Sequence, residues 1–125
     1  MPYRPFAHFI SACFAGMGLC LLVTPGLFFW VFGLPAEPGA TVMARRAGVI
    51  YFGVAGFAAL SAGAQGRAAQ RVLPLCVIGI MLAMAALGAV EVLRGAAGPR
   101  LFLGVVTELA LAGLGWATLR RLARA

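Results

Sequence analysis

Residues 72–93 read VLPLCVIGIMLAMAALGAVEVL, 22 positions with one charged side chain, Glu91. As a helix rising about 1.5 Å per residue, this stretch is about 33 Å long, enough to cross a hydrocarbon core of about 30 Å. Pro74 falls in its first turn, where a missing backbone N–H costs little. Three other runs share its character: Phe6 to Val23, Ala40 to Ala64, and Leu101 to Leu119. Four such runs predict an all-α integral membrane protein, a four-helix bundle in a single transmembrane domain covering residues 1–125. The links between them are short, so sequential helices are expected as antiparallel neighbours.

Composition agrees with that reading. Of the 125 residues, 63% are hydrophobic and 10% charged, and the mean hydropathy is +1.02. A soluble domain is about a quarter charged; this chain cannot cover a globule with polar surface. Its 17 glycines and many alanines are the small residues that let membrane helices approach closely.

The links carry the remaining signals. Thr24-Pro25-Gly26 ends the first run. The next segment, residues 27–35, is too short to span and holds Phe28, Phe29, Trp30 and Phe32. Such a segment lies at the headgroup layer, either as an interfacial helix or as a shallow re-entrant turn. Gln65 to Arg71 forms a polar loop, and Arg94 to Arg100 a glycine- and proline-containing turn. The first run is not expected to be a removable signal. Ile10-Ser11-Ala12-Cys13 resembles a lipoprotein cleavage box, but nine residues precede it and the chain stays apolar beyond.

Charge sets the orientation. All ten basic residues are arginine, against three acids, Glu37, Glu91 and Glu108, giving a net charge of +7. Four spans put both termini on one side. That side collects Arg4, Arg67, Arg71, Arg120, Arg121 and Arg124 and no acid, while Arg45, Arg46, Arg94 and Arg100 fall on the other. The positive-inside rule then places both termini in the cytoplasm of a bacterial inner membrane, as a multi-pass protein. The arginines sit at the ends of apolar runs rather than in a stripe interleaved with aromatics, so nucleic acid is not an expected partner. The lipid bilayer is.

Ionisable groups within a membrane are costly and usually face the bundle interior, so Arg45, Arg46, Glu91 and Glu108 are the candidate ligand-binding or ion-pair residues. By axial rise from the outer end, Arg45 lies about 8 Å deep, Glu108 about 10 Å and Glu91 about 3 Å. Glu108 shares a helical stripe with Gly104, Ala112 and Gly115, and Arg45 with Gly48, Phe52, Ala55 and Ala59. These small residues are the expected packing positions. The stripes point Arg45 and Glu108 inward at one depth, predicting a buried or half-buried ion pair with Glu91 as an additional acceptor. Such a pair either fixes helix register or forms the polar floor of a pocket for a small ligand or a proton.

The other reactive side chains read as structural. His8 sits at headgroup level, and without a second histidine it is not a haem or metal ligand. Met81, Met84, Gly88 and Glu91 share one helix face. Tyr51 needs a hydrogen-bond partner if buried. Cys13, Cys20 and Cys76 read as small buried hydrophobes with no metal spacing. Cys13 and Cys20, seven residues apart on one helix, cannot bond each other; a Cys13–Cys76 bridge stays open. No phosphate loop, nucleophile elbow or metal motif is present, so no catalytic residue, metal or cofactor is identified.

The first run closing in Thr24-Pro25-Gly26, the aromatic segment ending in Gly33-Leu34-Pro35, and Ala44-Arg45-Arg46-Ala47-Gly48 opening the second run resemble small bacterial membrane proteins of the DoxX-like and DUF4345-like group. The resemblance covers most of the chain by layout and specific residues between Pro25 and Gly48. It implies a four-helix membrane protein, and some DoxX members are linked to quinone-dependent or redox complexes. It carries over no catalytic residue. Arg45 to Gly48 is the element it maps, and the doubled arginine leaves open which one fills the role.

The expected function is a non-catalytic inner-membrane protein that forms a homo-oligomer or joins a larger membrane complex and encloses a lipid or quinone-like ligand. The alternative is a small proton-coupled transporter or channel, working as a dimer through Glu108 and Arg45.

Overall fold

A computed structural model describes residues 2–124. Of these, 86% are helical and none lies in a strand. The element order is α1 (Tyr3–Val23), α2 (Pro25–Phe32), α3 (Pro38–Ser61), α4 (Arg67–Leu93), a 3-10 turn (Pro99–Leu101) and α5 (Phe102–Arg124). Four helices, α1, α3, α4 and the 3-10 turn with α5, are long and apolar enough to cross a membrane. The protein is an all-α helical bundle with the character of a multi-pass membrane protein. Only 22–33% of each apolar window is buried inside the bundle, and large side chains such as Ile50, Leu60 and Leu103 point outward. Exposed apolar area of that extent needs lipid rather than water around it.

Local chemistry sets the breaks. Pro25 has no N–H with which to continue α1, and Thr24 turns the chain while its N–H donates to the Cys20 carbonyl at 2.9 Å. Pro25 then occupies the first turn of α2, where its fixed φ suits a helix start. The aromatic segment is thus an eight-residue helix. It ends at Gly33, whose φ of 66° closes a Schellman motif. In that motif the Leu34 N–H donates to the Phe29 carbonyl at 2.8 Å and the Gly33 N–H to that of Trp30 at 3.3 Å.

Several helices run past the apolar windows. α4 begins at Arg67, not Val72, because Arg67-Ala68-Ala69-Gln70-Arg71 are good helix formers. Pro74 is consequently inside the helix rather than in its first turn. α5 continues through Arg120 and Arg121 to Arg124, arginines that suit the negative end of a helix. Hydropathy marks the part in the bilayer, while helix propensity decides where the coil of backbone stops.

The four long helices form two antiparallel pairs. α1 lies along α3 and α4 along α5, whereas α3 and α4, sequential in the chain, touch over far less of their length. The expectation that every sequential pair would be close neighbours is corrected there. The Tyr3 hydroxyl donates to the Ser61 carbonyl at 3.0 Å, which also accepts from the Ala64 N–H at 2.8 Å, so the start of α1 is joined to the end of α3. Farther along, Gly18 meets Gly48. The pairs are joined by one core in which Phe6, Ile10 and Phe14 of α1 interlock with Ala58 of α3 and with Leu73 and Val77 of α4. A smaller cluster of Leu21, Phe29 and Ala44 holds α2 against the other end of α1 and α3. Both described chain ends lie at the end opposite α2, where Pro2 and Leu122 line one cavity.

Candidate functional site

At the α2 end of the bundle, α4, α5 and the segment after α2 enclose part of a cavity of about 280 Å³. Its position follows from two glycines that fix how near the neighbouring elements come. A Cβ on Gly88 would stand 3.0 Å from a Val105 methyl, and one on Gly104 would stand 3.2 Å from the Phe32 ring. α4, α5 and α2 therefore converge tightly around the opening. Leu34, just beyond α2, and Met84, Leu87 and Val105 supply apolar walls.

Glu91 and Glu108 line this same cavity, and both are half-buried. Axial rise places Glu91 two residues, about 3 Å, from the end of α4 and Glu108 six residues, about 9 Å, into α5. Because the helices are antiparallel, the two carboxylates stand one above the other on opposite walls. No arginine is among the lining residues. Tyr51 of α3 packs its ring on Phe14 with centroids 5.4 Å apart and is not among the residues lining the cavity.

Arg45 and Arg46 are both exposed, which corrects the expected buried pair between Arg45 and Glu108. The stripe of α3 that turns inward is Ala44, Gly48, Tyr51, Ala55, Ala58 and Ala62. At about 100° per residue it is rotated by about 60° from the stripe containing Arg45, Gly48, Phe52, Ala55 and Ala59. That rotation carries Arg45 to the edge of the packed face and Arg46 to the opposite side. Ala59 is corrected with them: it is exposed, and Ala58 takes its place in the core.

The remaining expected packing residues lie at helix contacts. Gly48 faces Gly18, and a Cβ on Gly115 would lie 3.3 Å from the Pro74 carbonyl oxygen across the α4–α5 seam. Ala55 and Ala112 are buried. Met84, Gly88 and Glu91 line the cavity, while Met81 is in the core below it. All three cysteines are free thiols, and Cys76 faces outward, so the Cys13–Cys76 bridge does not form. His8 is exposed. Among the described residues, no group of three or more His, Cys, Asp or Glu side chains comes together.

No known family, curated protein or solved structure matches the chain. The geometry alone therefore bears on the chemistry. Ionised carboxylates only accept hydrogen bonds, so a mostly apolar hollow holding two of them suits a molecule with a hydrocarbon body and a head that is cationic or donates hydrogen bonds.

Proposed function

We propose that the protein is a non-catalytic membrane protein that holds a small amphiphile in the cavity between α4 and α5. The observation carrying this reading is the meeting of Glu91 and Glu108, half-buried, in one apolar hollow without an arginine lining it. Charge-assisted hydrogen bonds from an ammonium head are about twice as strong as neutral ones, more so where water is partly excluded. A lipid bearing a primary amine meets the requirement. A quinol, whose hydroxyls donate, also fits; an oxidised quinone, which only accepts, does not.

Dodecylammonium is the direct probe for the full chain in a nonionic detergent, with dodecanol as the uncharged control. The expected result is binding of the ammonium, weakened about tenfold or more in Glu91→Gln/Glu108→Gln, with dodecanol binding unchanged. Equal ammonium affinity in wild type and double variant rejects the reading.

Self-association is a second part of the proposal, supported by Gly53 and Gly56 on the outward side of α3, where an added Cβ would meet nothing within 4 Å. Small residues on a lipid-facing side give a second copy close access. Cross-linking in membranes that captures only single chains would remove this part. Residence in a bacterial inner membrane, with the termini in the cytoplasm, is supported by the six arginines at the terminal end. Kinship with the DoxX-like group is supported by the layout between Pro25 and Gly48. The transporter alternative loses its cationic partner for Glu108, because Arg45 is exposed.

A further inference from the structure

A second cavity, of about 430 Å³, opens at the end of the bundle that holds both chain ends. Tyr3, Arg4, Gln70, Thr118, Arg121 and Leu122 line it. Arg4 belongs to the first turn of α1 and Arg121 to the last turn of α5. Folding thus brings two guanidinium groups, 117 positions apart in the sequence, to one opening.

Most neutral side-chain donors around this opening are already engaged: the Tyr3 hydroxyl donates to the Ser61 carbonyl, Gln70 Nε2 to that of Ala64 and Thr118 Oγ1 to that of Leu114, each at 3.0 Å. The Gln70 amide keeps one further N–H, and the two guanidinium forks are the charged donors at the opening. No carboxylate side chain lines the cavity; Glu37, Glu91 and Glu108 all lie in the other half of the bundle.

We infer that this cavity binds a phosphate group through Arg4 and Arg121. A guanidinium presents paired N–H donors that match two phosphate oxygens, and two forks from different helices fix the anion between them. Pro5 and Leu122 give the opening an apolar edge along which acyl chains can run. Basic pockets between membrane helices recognise anionic headgroups in this way. The phosphate is carried either by an anionic lipid or by a free phosphate compound. The inference uses none of the residues of the outer cavity.

The test uses the full chain in a nonionic detergent, with dihexanoyl phosphatidylglycerol, inorganic phosphate and monooctanoylglycerol as probes. Phosphatidylglycerol is expected to bind wild type, and about tenfold more weakly to Arg4→Gln/Arg121→Gln. Arg67→Gln/Arg124→Gln removes the same charge from side chains that do not line the cavity, and is expected to change affinity less than about twofold. If inorganic phosphate displaces the lipid at similar concentration, the site takes free phosphate; if it does not, the site is one for lipid headgroups. Either outcome supports a phosphate site. Equal losses in the two double variants, or equal binding of monooctanoylglycerol and phosphatidylglycerol to wild type, would overturn it.

Discussion

Gly18 of α1 and Gly48 of α3 cross so closely that a Cβ on either would stand 2.9 Å from the carbonyl oxygen of the other. The obstacle on each side is backbone, which cannot swing away as a side-chain tip can. The two helices can lie at this separation only while both positions lack a side chain.

Gly18→Ala and Gly48→Ala are therefore expected to destabilise the fold by about 1–3 kcal/mol each, the usual cost of overpacking. Gly79→Ala and Gly113→Ala, with open space around them, should be neutral or stabilising by up to about 1 kcal/mol through helix propensity. Unfolding in mixed micelles titrated with denaturing detergent would measure both sets. Equal destabilisation in the two sets would mean that the α1–α3 crossing is not as close as described.

Glu108 should tolerate neutralisation. Had it been locked to Arg45 inside the bundle, removing either partner would cost about 3–5 kcal/mol. With Arg45 exposed, Glu108→Gln is expected to shift unfolding by less than about 1 kcal/mol. The same titration checks it, and a loss near the upper figure would restore the ion pair.

Tyr3→Phe removes the hydroxyl that bonds Ser61 while keeping the buried ring. The expected cost is about 1 kcal/mol, the usual net worth of one such bond, because the Ser61 carbonyl keeps the Ala64 N–H as a donor. The loss should be confined to the terminal end, so amide exchange at the end of α3 should quicken while exchange around Gly48 does not change.

The number of spans, their approximate bounds and the shared side of the termini were legible because lipid imposes a length and a composition on anything that crosses it. That Glu91 and Glu108 lie toward one end of the bundle follows for a related reason: helical rise converts sequence position into height. Rotation was not. Small residues occupy several sides of α3, including Ala44, Gly48, Gly53, Gly56, Ala58 and Ala59, so a stripe of them does not single out the inward side. What selects it is Tyr51 stacking near Phe14 and Gly48 meeting Gly18, contacts between distant residues that no local pattern encodes. The terminal cavity was hidden for the same reason, since Arg4 and Arg121 become neighbours only when both helix pairs have closed.

The Arg100 guanidinium donates to the Trp30 carbonyl at 3.4 Å, and its aliphatic stem passes beside Gly33, with the Cδ 3.5 Å from where a Cβ would sit. A residue made early in synthesis is thus held by one made seventy positions later. As the chain leaves the ribosome, the α1–α3 seam and the packing of Phe29 between Leu21 and Ala44 can form from the first half, but the bond from Arg100 to Trp30 waits for the last helix. The hollow between α4 and α5 comes into being last, so a truncated product ending after α4 would keep its first hairpin and lack the chamber altogether.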